Sequence, residues 1–102
     1  MLPEKFKTRV TIDQLNVIYK LVHNASQLTV KDLQQKLLIC HMISIHKRLL
    51  AKWTYPTKLT TVSLTPTEAI AFWLMFHEFN FTDPFVLATI NPILTDIHRQ
   101  LV

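Results

Sequence analysis

The chain contains no glycine. Without it, no position enters left-handed backbone geometry cheaply, and the two-residue hairpin turns that depend on that geometry are disfavoured. Turns must come from Asn, Asp, Pro, Ser and Thr. That suits helices joined by capped loops better than a sheet of tight hairpins. The same absence removes any glycine-rich phosphate loop. A mainly helical fold is the expectation that follows.

Local signals place the elements. Lys5-Phe6-Lys7-Thr8-Arg9-Val10-Thr11-Ile12 alternates basic residues with apolar residues or Thr, which predicts a short strand with one wet face. Asp13 is placed to cap a helix over 14–23, on which Leu15, Ile18 and Val22 share one face. Asn24-Ala25-Ser26 reads as a turn. Thr29 is the expected cap of a second helix, with Asp32 in its first turn. Nothing breaks that helix between Val30 and Trp53, and Tyr55-Pro56 ends it. Its centre, Leu37-Leu38-Ile39-Cys40, is apolar almost all round, as in a helix buried on most sides.

Lys58 to Leu64 is Thr-rich and β-branched, a second short strand. Thr65-Pro66-Thr67-Glu68 is the sharpest local signal: an N-cap, a proline in the first turn and the glutamate of a capping box. It predicts a helix to about Phe79. Asp83-Pro84 opens another, which Asn91-Pro92 is expected to break or kink before a last helix from Pro92 to Leu101. The predicted fold is mainly α, with four to five helices around a long central helix and a minimal two-stranded β element. At 102 residues it forms one domain.

The two halves, 5–55 and 57–102, resemble each other. Thr8-Arg9-Val10-Thr11-Ile12 parallels Thr60-Thr61-Val62-Ser63-Leu64, and each runs into a capped helix. Ile45-His46-Lys47-Arg48-Leu49 parallels Ile97-His98-Arg99-Gln100-Leu101. A duplication would make each half a strand followed by helices, with the two strands paired about a pseudo-twofold axis.

Charge is unevenly spread. Residues 1–58 carry all but one of the 11 Lys/Arg, whereas residues 59–102 carry most of the 7 Asp/Glu. A basic half favours an acidic partner such as nucleic acid, or a head-to-tail contact with a second copy. Hydrophobic residues make up 49% of the chain and charged residues only 18%, an apolar excess that points to a surface covered by a partner. The longest apolar run, Ala69 to Phe76, falls far short of the roughly 20 residues that span a bilayer, so no membrane role is expected. Met1-Leu2-Pro3-Glu4-Lys5 lacks the apolar run of a signal peptide, and the single Cys40 forms no internal disulfide. The sequons at Asn24 and Asn80 then read as chance matches, and the expected location is cytoplasmic.

Catalytic and metal chemistry find little support. Cys40, His41 and His46 lie close in sequence, but their spacing does not put three ligands on one helical face. His46 falls among Ile39, Met42, Ile43, Leu50 and Trp53, as a core or interface histidine. His77-Glu78 opens like a zinc-protease helix, but Phe81 stands where the second histidine belongs. His77 instead shares a face with Ile70, Trp73 and Phe76, at a core edge or beside a ligand pocket. Neither an enzyme nor a cofactor is expected.

Three pieces between Leu28 and Phe72 carry a family resemblance. They are Leu28-Thr29-Val30-Lys31-Asp32-Leu33, Lys47-Arg48-Leu49 and Val62-Ser63-Leu64-Thr65-Pro66. Together they resemble the winged helix-turn-helix of the MarR-type bacterial repressors, as the start of its first motif helix, the end of its recognition helix and its second wing strand. The resemblance implies a DNA-binding regulator, with Lys47, Arg48, Lys52 and Lys58 as nucleic-acid contacts. The family's turn would fall at Leu38-Ile39-Cys40-His41, which offers neither glycine nor a capping side chain, so unbroken helix is predicted there.

The leading functional expectation is a non-enzymatic interaction or regulatory module that associates with itself, through Ile39, Met42, Ile43, His46 and Trp53, or with another protein. The DNA-binding regulator is the alternative, and a small enzyme or ligand-binding domain with a pocket near His77 is the third.

Overall fold

The computed structural model describes residues 5–29, 32–54, 58–79 and 81–101. Among them the chain forms, in order, β1 (Phe6–Thr11), α1 (Ile12–Ser26), α2 (Leu33–Thr54), β2 (Leu59–Leu64), α3 (Pro66–Phe76) and α4 (Pro84–Leu101). The fold is mainly helical, with four helices and one small antiparallel β element, and the order β-α-α occurs twice. No described residue has positive φ, in keeping with a chain that has no glycine.

Each strand passes directly into a helix through a capping box. Thr11 accepts a bond from the Gln14 N–H while the Gln14 side chain accepts one from the Thr11 N–H at 2.9 Å. Thr65 and Glu68 make the same reciprocal pair at the start of α3, with Pro66 in its first turn. The Thr65–Glu68 box is the one the sequence predicts. At α1 the cap is Thr11 rather than Asp13, because a box satisfies two orphan donors at once; Asp13 sits in the first turn instead.

One other N-cap differs from expectation. Asp32, not Thr29, opens α2: its carboxylate accepts from the Gln34 N–H at 2.7 Å, and Thr29 stays outside the helix. Asp83 opens α4 as predicted, accepting from the Phe85 N–H at 2.8 Å. Helix α3 stops at Phe76, short of Phe79, with His77 as its C-cap, and Phe76, Phe79 and Phe81 then gather in an aromatic cluster.

Helix α2 runs unbroken for 22 residues through Leu38–His41, so the turn of a helix-turn-helix is absent. Tyr55-Pro56, expected to end it, lies outside the described residues, as does Asn80. Helix α4 is also continuous, although Pro92 lies inside it. The expected break at Asn91-Pro92 does not occur, for a physical reason. Pro92 and Ala88, whose carbonyl loses its partner, are both at exposed positions, so the freed oxygen need not be buried unpaired. Ile90, Ile93, Leu94 and Ile97 on the other side are buried and hold the helix on both sides of the proline.

The core lies between the inner face of the ribbon and the four helices. Phe6, Val10, Val62 and Leu64 meet Leu15, Ile18 and Val22 of α1, Met42, Ile45 and Leu49 of α2, and Phe72 and Phe76 of α3. Burying each large side chain contributes on the order of 1.5–3 kcal/mol. Buried side-chain polar atoms among the described residues all have partners.

Candidate nucleic-acid interface

The antiparallel register fixes what the ribbon shows to solvent. Phe6 pairs with Leu64, Thr8 with Val62 and Val10 with Thr60, and these positions face the core. The alternate pairs face out: Lys7 with Ser63, Arg9 with Thr61 and Thr11 with Leu59. Lys5 continues the outward cationic series before β1, and Lys58 stands exposed before β2, at the opposite end of the ribbon. The ribbon thus presents cations on one strand and hydroxyls on the other.

A groove of about 450 Å³ flanks this face, between α2 and β2. Lys47, Arg48 and Lys52 from α2 line one wall, and Thr61, Ser63 and Lys5 the other. Three of the four residues expected to contact nucleic acid therefore converge here, while Lys58 lies beyond the groove lining. Among the described residues, Lys5, Lys7, Arg9, Lys47 and Lys52 have no carboxylate within ion-pair distance. Arg48 differs, being ion-paired to Glu68 of α3. Glu68 also accepts from Ser44 Oγ at 3.0 Å and from the Thr65 N–H at 2.8 Å. Burial pushes the Glu68 carboxyl up, but the bonds from Thr65, Arg48 and Ser44 outweigh it and hold the pKa below the ordinary value.

Lys5, Lys7, Arg9, Thr61 and Ser63, which the structure brings to this face, are not among the residues the sequence singles out for nucleic acid. The alternation of β1 marks one face as wet, but alternation alone does not distinguish a solvated face from a binding face.

The residues expected to form a self-association surface differ in exposure. Met42 is fully buried in the domain's own core, so it is not offered to a second chain. Ile39 is half-buried and Ile43 exposed. His46 faces α1, its Nε2 at 3.2 Å from His23 Nδ1 and its ring against Tyr19. Burial, then the neighbouring His23, lowers the His46 pKa. The Trp53 side chain lies outside the described residues. Exposed apolar side chains are also found at Leu33 and Leu37, 82% and 60% accessible, which line a shallow apolar groove with Cys40 on the first turns of α2.

His77 packs against Trp73 of α3. Its ring stacks on Trp73 at 3.9 Å, and its Nδ1 bonds the Trp73 carbonyl at 2.9 Å. A nearby groove is lined by Leu74, Met75, Glu78 and Phe79 rather than by His77. Among the described residues, no cluster of three or more His, Cys, Asp or Glu is placed to hold a metal, and no helix is long and apolar enough to cross a membrane. No family model, curated protein or solved structure matches the chain.

Proposed function

We propose that this domain binds double-stranded DNA by laying the exposed face of the β1–β2 ribbon in the major groove. The observation that carries the reading is the outward row of Lys5, Lys7 and Arg9 beside Thr61 and Ser63, on a face that none of the described helices covers. The dimensions agree. A two-stranded ribbon fits a major groove about 12 Å wide. Alternate residues along a strand lie about 6.8 Å apart, the rise of roughly two base pairs. Lys and Arg bond guanine edges, and Ser and Thr bond either kind of base pair. Lys47 and Lys52 stand beside the ribbon, placed for phosphates. Duplex RNA fits less well, because its major groove is deep and narrow.

This places the reading element on the ribbon rather than on a recognition helix. The chain is then a DNA-binding regulator of a geometry different from the winged helix. Fluorescence anisotropy with mixed-sequence duplexes tests it. Binding is expected at about 50 mM salt and to weaken steeply by about 200 mM, with a log–log slope of about −0.9 per phosphate neutralised. Lys7→Ala with Arg9→Ala should weaken it at least tenfold. A folded protein that binds no duplex at low salt overturns the proposal.

A second reading, self-association, is supported by the accessible Leu33 and Leu37 beside Cys40. Light scattering checks it. Twice the 11.9 kDa chain mass at micromolar concentration, reverting to monomer in Leu33→Glu with Leu37→Glu, is the expected result. A monomer across the concentration range removes it.

A further inference from the structure

The two halves of the domain repeat in element order but not in chemistry. Thr11 and Thr65 occupy equivalent places, each capping the helix that follows its strand, and Gln14 and Glu68 close the two boxes. Inward positions match as well: Phe6 and Val10 of β1 correspond to Thr60 and Leu64 of β2, and all four are buried. Antiparallel pairing of the two strands relates them by an approximate twofold axis through the Thr8–Val62 pair. That axis exchanges Lys7 with Thr61 and Arg9 with Ser63.

A twofold reader carries the same side chains on both strands, and the site it reads is palindromic. Here the exchanged positions differ in kind. One strand carries a primary ammonium and a guanidinium, the other two hydroxyls. The flanks differ too. Lys47 on α2 is free of carboxylates among the described residues, whereas Arg99, its counterpart in the Ile45-His46 and Ile97-His98 correspondence, is ion-paired to Asp96.

We infer that the ribbon reads a non-palindromic duplex site, in which β1 selects guanine-bearing base pairs through Lys7 and Arg9 and β2 tolerates several bases through Thr61 and Ser63. The inference rests on the DNA-binding reading above. Arg and Lys are the side chains suited to guanine O6 and N7, while a hydroxyl donates or accepts and so discriminates weakly. Polarity follows: the domain binds in one orientation, with Lys5, Lys47 and Lys52 toward the phosphates at one end of the site.

Selection from a randomised duplex pool of about 25 base pairs tests this, with retained sequences read out at about 100 mM salt. The expected consensus is non-palindromic, with guanines confined to one side. Replacing one of those guanines by adenine should weaken binding of the unaltered protein about tenfold. The same change should have little effect on Lys7→Thr with Arg9→Ser. The reciprocal variant, Thr61→Lys with Ser63→Arg on the native β1, should shift the consensus toward a palindrome. A palindromic or featureless consensus from the unaltered protein overturns the inference while leaving DNA binding in place. A pool with no duplex retained above a heparin-competed background overturns both.

Discussion

Arg48 of α2 is ion-paired with Glu68 of α3, the same glutamate that closes the capping box with Thr65. One carboxylate thereby completes the start of α3 and ties it to the middle of α2. Arg48 is about half exposed while Glu68 is almost fully buried, so the glutamate depends more on its partners than the arginine does. Glu68→Ala should destabilise the domain by about 1–3 kcal/mol through the lost cap and lost bonds. Arg48→Ala should cost less than Glu68→Ala, since Ser44 and Thr65 still serve the carboxylate. Urea denaturation of the two variants checks the order. Equal costs would mean that the ion pair, rather than the cap, dominates.

The two titrating sites act in separate pH windows. His46 has a lowered pKa in the fold, so the unfolded chain binds its proton more readily. Its contribution is full above about 6.5, the ordinary histidine value, and is lost as pH falls from there through the folded value. Two charged rings also cannot share the bond between His46 and His23. Glu68 has a lowered pKa too, but for a carboxylate this stabilises above about 4.3 and is lost only as pH falls through the folded value. Stability by chemical denaturation should therefore drop between pH 7.5 and pH 5, and His46→Gln should flatten that drop while Glu68→Gln should not.

Continuity of α2 makes Cys40 a decisive position. It is exposed, so its side chain matters little, but it lies in the interior of a 22-residue helix. Cys40→Pro should cost about 3 kcal/mol or more and Cys40→Ala almost nothing. By contrast, Pro92→Ala restores a donor within α4 and should be neutral or stabilising. Thermal melts of the three variants measure this. A Cys40→Pro protein of native stability would mean that the chain leaves helical geometry near Leu38–His41.

Met42 separates a core role from an interface role. Its side chain is completely buried beside Ile45 and Leu49. Met42→Ala should destabilise the isolated domain by about 2–5 kcal/mol, independently of protein concentration. A cost that appears only at concentrations where the chain associates would place Met42 at a contact between copies.

Lys47 and Lys52 line the groove beside the ribbon, and in the proposed DNA complex they would meet phosphates rather than bases. Replacing both by Ala should weaken DNA binding to a similar extent on every duplex and make the salt slope shallower by about 2. Arg9→Ala should instead alter the preference among sequences. Anisotropy titrations at several salt concentrations distinguish the two kinds of loss.

What the sequence determined is what is decided within a turn or two of chain. Thr65, Pro66 and Glu68 announce α3 because every partner in the capping box is local. The alternation of β1, the buried face of Leu15, Ile18 and Val22, and the continuity of α2 through Leu38–His41 are legible for the same reason. The caps at Thr11 and Asp32 were missed where two nearby residues competed for the same N–H groups, and geometry chose between them.

Tertiary structure decided what depends on pairing across the chain. Antiparallel register puts Arg9 opposite Thr61, and a one-residue slip would have turned the cations into the core. The same pairing sets β2 beside α2, so that Lys5 shares a groove with Lys47 and Lys52, and it draws Arg48 to Glu68. Pro92 is tolerated because burial of Ile90, Ile93 and Ile97 outweighs one backbone bond lost on the exposed side. None of these follows from periodicity or propensity, because their energy comes from surfaces that meet only once the two halves of the chain are packed together.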